Sequence, residues 1–139
     1  MSATHTYRLR VRYSETDQMG IVHHAAYVIW LEEARTALMR EVGVPYDELE
    51  RQGWAVAVRR VDVRYRQTAR YGDEVVVETR VGKVGGASIR FDYRALRVGD
   101  DTVLLTGSVE TVSLDKRTLK PAALPDPLRA AVEALPEDA

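Results

Sequence analysis

The chain has 139 residues, with 20 basic against 21 acidic side chains, a formal net charge of −1, 45% hydrophobic residues and no cysteine. This length and composition predict one globular domain spanning residues 1–139. The charge balance argues against broad nucleic-acid binding, and the lack of cysteine excludes disulfides, thiolate nucleophiles and cysteine-based zinc sites. No apolar run approaches the roughly 18 to 20 residues that cross a bilayer, and M-S-A-T-H-T does not read as a signal peptide, so the cytoplasm is the expected location.

Residues His5 to Tyr13 alternate, with Tyr7, Leu9, Val11 and Tyr13 on one side and Arg8, Arg10 and Arg12 on the other, which predicts a half-buried strand. A polar loop, Ser14 to Val22, follows. The strongest helical pattern then runs from His23 or His24 to Val42. Ala26, Tyr27, Trp30, Leu31, Ala34, Ala37 and Leu38 share one arc, and Glu33, Thr36 and Arg40 lie opposite. Gly43 and Pro45 end this helix, and a short helical turn starts at Pro45 and stops before Gly53.

From Trp54 the period changes to two. Strands are expected over Trp54 to Arg66, Glu74 to Val81, Ala87 to Val98 and Thr102 to Asp115, punctuated by Gly82, Gly85, Gly86 and the G-D-D at 99–101. The apolar face of the Trp54 strand changes along its length. Pro121, Pro125 and Pro127 break regular structure before a short helix at Leu128 to Leu135. Strand, long helix and four consecutive strands make an α+β domain, an antiparallel sheet wrapped around one long helix in the hotdog arrangement. Its open edge and incompletely covered faces predict a homodimer at least, with a homotetramer as the larger form.

The chemistry concentrates before the long helix. Asp17 is delivered to a helix N-terminus, where unpaired N–H groups point outward, and a carboxylate beside an oxyanion donor suits acyl-group chemistry. Asp17 reads as a general base for water or as a nucleophile, against the plainer reading of a turn residue. Glu15 reads as a solvated loop carboxylate. Asp17, His23 and His24 resemble a metal cluster only superficially, because adjacent histidines on a helix diverge. A Ser14-His23-Asp17 triad lacks the G-x-S-x-G elbow. His24 is suited to positioning. Tyr27 lies in the apolar arc, where core packing competes with a place in a substrate wall, and Glu32 and Arg35 read as a surface pair. The G-K-V-G-G-A-S-I-R segment fails both nucleotide-loop patterns and reads as a hairpin, with Lys83, Ser88 and Arg90 available to an anionic ligand.

Y-x-x-T-D-x-x-G-I-V-H-H-x-x-Y followed by L-E-E-A-R resembles the 4-hydroxybenzoyl-CoA thioesterase family of hotdog proteins. The closest likeness is to the bacterial short- or medium-chain acyl-CoA thioesterases associated with the Tol-Pal system. V-D-V-R-Y-R-Q-T-A-R-Y-G-D, G-G-A-S-I-R-F and D-K-R-T-L-K-P extend the likeness over nearly the whole chain. The resemblance implies Asp17 as the catalytic carboxylate and His24 as the source of the helix-terminal amide that polarises the thioester carbonyl. Gly20 would permit close approach of the loop. It places Ser88 at the CoA end of the substrate, so the expected binding set is Gly20, Tyr27, Lys83, Ser88 and Arg90. His23 departs from the tyrosine usual in this branch. The implied activity is acyl-CoA hydrolysis in dimers or tetramers with shared sites, with no metal and no cofactor, CoA being part of the substrate. A hotdog hydratase or dehydratase is disfavoured, since no His-Pro-Gly segment or D-x-N-P-x-x-H occurs. A non-catalytic acyl-CoA-binding module is the remaining alternative.

Overall fold

Alternating side chains form the strands, and the 3.6-period segment forms the helix they wrap. In the computed structural model, which describes residues 4–135, the order is β1 (His5–Arg10), α1 (His24–Glu41), α2 (Tyr46–Arg51), β2 (Trp54–Tyr65), β3 (Glu74–Val84), β4 (Ser88–Arg97), β5 (Val103–Asp115) and α3 (Asp126–Glu133). The start of M-S-A-T-H-T and the last four residues of the 1–139 domain lie outside the described residues. All five strands form one antiparallel sheet in the order β1-β3-β4-β5-β2. This is the α+β hotdog arrangement expected from the sequence.

The inner face of the sheet buries Val75, Val77, Phe91, Ala95, Leu105 and Val109 against Trp30, Leu31, Ala34 and Leu38 of α1. Charged pairs occupy the outer face, where Arg94 meets Glu78 at 2.7 Å and Arg8 meets Glu74 at 2.7 Å. Such exposed pairs are worth roughly 0.2–1 kcal/mol each, so burial around α1 carries most of the stability. Because the sheet curls around the helix, the covered arc is wider than the sequence pattern suggested. Arg35 and Met39 are buried as well, and the expected Glu32–Arg35 surface pair is replaced by an inward-facing Arg35.

Three elements differ from expectation by two residues or more, for physical reasons. The first strand stops at Arg10, and Tyr13–Glu15 turn as a 3-10 segment that leaves Tyr13 78% exposed instead of in the alternating face. A bulge lets β3 continue past Val81 to Val84. The last helix starts two residues early because Asp126 and Pro127 suit a first turn.

The shifting apolar face of β2 has a direct cause. A register shift between Val58 and Arg60 places one extra residue in the strand. Trp54, Val56 and Val58 before the bulge therefore share a side with Val61, Val63 and Tyr65 after it. β2 lies at the edge of the sheet, and Val58, Val61 and Tyr65 stay exposed.

Gly107 on β5 holds β2 in place. A Cβ there would sit 2.4 Å from the Asp62 carbonyl oxygen and 2.7 Å from the Val63 Cα. Only a residue without a side chain allows the two backbones this approach. Gly107→Ala is expected to force β2 away from β5 and to cost about 1–3 kcal/mol in urea unfolding. An unchanged midpoint would contradict the close approach.

Candidate active site

The polar loop folds back as a small hairpin. Asp17 N–H donates to the Ile21 carbonyl at 2.8 Å and Gly20 N–H to the Asp17 carbonyl at 2.9 Å, with Thr16 bridged to Val22. Gly20 adopts φ +80, in the left-handed region, and supplies the freedom the turn requires. The hairpin is tied down by Val22 N–H on the Ala69 carbonyl at 2.9 Å, and Ile21 is bridged to Arg70. Asp17 is exposed at its tip. One carboxylate oxygen accepts the Met19 N–H at 2.8 Å, closing an Asx turn. The other oxygen makes no hydrogen bond within the described residues.

The hairpin leads straight into α1. His23 is the N-cap, its Nδ1 accepting the Ala25 N–H at 3.2 Å and its carbonyl accepting the Ala26 N–H at 2.9 Å. The His24 N–H meets no acceptor among the described residues, so this first-turn donor remains available. The two imidazoles stack with centroids 4.2 Å apart. Asp17 lies two ladder steps beyond the Glu15–His23 contact, roughly 7 Å along the hairpin. Among the described residues no group of three or more His, Asp or Glu side chains could hold a metal ion.

Glu15, like Arg35, is a residue that the sequence reading misplaced. It is 9% exposed rather than solvated. Its carboxylate accepts the Trp30 indole N–H at 2.7 Å and the Arg12 backbone N–H at 2.8 Å, and its carbonyl accepts the His23 N–H at 2.8 Å. Burial pushes this carboxyl up, but the bonds from Arg12 and Trp30 and the Arg12 charge outweigh it, and its pKa lies below the ordinary value. The available signal was Trp30, whose indole in a buried arc needs an acceptor.

Tyr27 is buried, and its hydroxyl accepts the Ala69 N–H at 3.0 Å. Its ring contacts those of Trp30 and Tyr65 edge-on, at 4.8 and 5.4 Å. The Tyr65 hydroxyl donates to the His24 carbonyl at 2.9 Å and fixes that end of β2 to the start of α1.

Lys83, Ser88 and Arg90 meet around the β3–β4 hairpin, with Lys83 opposite Arg90. Arg90 is engaged by Asp92 at 3.0 Å, while Arg129, unnoticed in the sequence, donates to the Gly85 carbonyl at 2.7 Å. One chain does not bring this group to Asp17. Tyr65 pairs with Leu105 and Ser88 with Val112, so along β5 the two groups stand seven residues, about 23 Å, apart.

A pocket of about 320 Å³ opens at the Ser88 end, between α1, α2 and the start of β2, lined by Glu32, Arg35, Tyr46, Trp54 and Val58 among others.

Comparison with known proteins gives a consistent picture. Residues 11–132 match the thioesterase-like superfamily. A putative acyl-CoA thioesterase of Bacillus subtilis, YneP, is 35% identical over 114 residues, covering 81% of each chain. The acyl-CoA thioesterase YbgC of Haemophilus influenzae is 34% identical over 132 residues, 94% of this chain and 95% of that one. The crystal structure of a DHNA-CoA thioesterase from Staphylococcus aureus superposes with a TM-score of 0.88 at 28% identity, covering 94% and 89% of the two chains.

The depressed Glu15 pKa predicts an acid-sensitive loop. A carboxyl whose folded pKa lies below its unfolded one stabilises fully above the unfolded value, here 4.5, and loses that contribution as pH falls through the folded value. Glu15→Gln is expected to flatten the fall of the urea midpoint between about pH 5 and pH 3. Equal slopes for both proteins would remove Glu15 as the titrating support.

Proposed function

This chain belongs to the thioesterase-like superfamily, and on that footing we propose that it hydrolyses acyl-CoA thioesters to a carboxylic acid and free CoA, with Asp17 as the catalytic carboxylate. The observation that carries this reading is the Asp17 hairpin, clamped to the N-terminus of α1, where the His24 N–H meets no acceptor among the described residues. The D-x-x-G-x-V-x-H segment followed by this helix supports membership of the 4-hydroxybenzoyl-CoA thioesterase family, in its Tol-Pal-associated branch, acting in the cytoplasm.

The thioester carbonyl oxygen would face the His24 N–H, which strengthens its hydrogen bond as negative charge develops there. The free oxygen of Asp17 takes a proton from water while the water oxygen adds to the carbonyl carbon. The tetrahedral intermediate then expels CoA as its thiolate, breaking the C–S bond, and the proton held by Asp17 passes to the thiolate, restoring the carboxylate. Direct attack by Asp17 through an anhydride is the alternative route to the same products. Gly20 keeps the hairpin tight, and Tyr27 supports its base through Ala69. Lys83, Ser88 and Arg90 are proposed as contacts to the CoA end. Because they lie about 23 Å from the Tyr65 end of the sheet, a complete site needs a second copy.

A two-fold axis at the middle of β2 answers that need. It pairs the free edge with its own image, covers Val58 and Val61, and sets the Tyr65 end of one strand against the Trp54 end of the other. Light scattering at micromolar concentration is expected to give at least a dimer, and Val61→Asp to shift it toward monomer with loss of turnover. A fully active monomer would refute the shared site.

Asp17→Asn keeps the shape and the Asx turn but removes the charge. A thiol-trapping assay over a series of acyl-CoAs is expected to show kcat reduced about 10²- to 10⁴-fold with KM little changed. Near-native turnover by the folded variant would favour a binding module without catalysis.

A further inference from the structure

The guanidinium of Arg35 is the most unusual group in the interior. It is 5% exposed, lines the 320 Å³ pocket, and has no carboxylate within ion-pair distance among the described residues. Its hydrogen-bond partners are neutral ones, the Tyr93 hydroxyl at 3.2 Å and the Tyr46 hydroxyl, and its carbon lies 5.9 Å from the Phe91 ring centroid. Burial pushes the Tyr93 hydroxyl up to about 12, against the pull of the Arg35 charge, so the phenol stays protonated. Tyr46, also in the pocket wall, is raised for the same reason. A buried guanidinium offers five N–H donors and costs stability unless acceptors meet them. A residue serving packing alone needs no such charge at a pocket wall, and an apolar side chain of similar volume would carry no desolvation cost.

We infer that this pocket receives the distal end of the acyl group and selects one bearing an uncharged hydrogen-bond acceptor, a hydroxyl or oxo oxygen, which Arg35 binds. The inference rests on the thioesterase reading and the two-fold pair proposed above. In that pair the start of the partner's α1 opens beside the Trp54–Val58 end of β2, where the pocket lies. The apolar wall of Leu49, Trp54 and Val56 suits the carbon chain leading to the acceptor. The charge of the rim excludes the other class of acceptor. Glu32 and Glu50 are exposed in the pocket lining and repel an acyl group ending in a carboxylate. The volume lies at the small end of ligand pockets and fits one ring or a short chain.

The test uses the full chain and three non-hydrolysable CoA thioethers of matched length, S-hexyl, S-(5-oxohexyl) and S-(5-carboxypentyl), measured by calorimetry. The oxo compound is expected to bind about tenfold more tightly than the alkyl one, and the carboxylate no better than the alkyl. Arg35→Met should bring the oxo-to-alkyl ratio to about one, and Arg35→Lys should restore part of it. A wild-type ratio of one overturns the inference, as does tighter binding of the carboxylate or a ratio unaffected by Arg35→Met. Should Arg35→Met not fold, Thr36→Leu, which narrows the pocket from its lining, decides. Loss of the ratio supports the inference and an unchanged ratio overturns it. Hydrolysis of the corresponding thioesters is scored separately. If none is hydrolysed the thioesterase reading fails, while the thioether ratio still judges the pocket.

Discussion

The buried carboxylate of Glu15 holds together pieces of chain that would otherwise be independent. It receives the indole of Trp30 from inside α1 and the backbone N–H of Arg12 from the end of the first strand, while its own carbonyl receives His23. A buried anion is costly unless its lone pairs are met, so these donors are required once the carboxylate is inside. The consequence reaches the chemistry. Strand end, Asp17 hairpin and helix start are fixed relative to one another, and the carboxylate proposed as catalytic would have to be held near its target to within fractions of an ångström. Tyr27 does the same from the other side by filling the acceptor demand of Ala69, whose carbonyl in turn holds Val22.

Strand β2 imposes the second constraint. The residue inserted between Val58 and Arg60 keeps an apolar face on one side over the whole strand, yet no described element covers its middle. An edge with free backbone groups and exposed valines favours association. The same strand spans the distance between the Asp17 group and the Ser88 group. Its unsatisfied edge and the division of the candidate site between opposite ends of the sheet would both be met by the proposed two-fold pairing.

Charge is distributed in keeping with this arrangement. Most arginines sit on the outer face or at loop ends, paired with carboxylates such as Glu78, Glu74 and Asp92 in pairs that water weakens. Arg35 stands apart because its partners are phenols. The low dielectric around it gives each hydrogen bond greater weight, which suits recognition more than stability.

The sequence by itself determined the strands, the long helix, their order and the antiparallel sheet, because side-chain periodicity is a local property that burial on one face enforces. The Asp17 turn, Gly20 and the start of α1 at His23 or His24 were legible for the same reason, each depending on residues a few positions apart, whereas the His23 cap was not. The change of face in β2 was visible as a broken alternation, though its cause, a bulge, appears only when β5 supplies the register. Tertiary structure alone decided the rest. Glu15 turned inward because Trp30, fifteen residues away, needed an acceptor, and Arg35 turned inward because the curled sheet covers more of the helix than a flat one would. The separation of Ser88 from Asp17 likewise follows from strand pairing, which joins residues distant in the chain and leaves no local pattern to read.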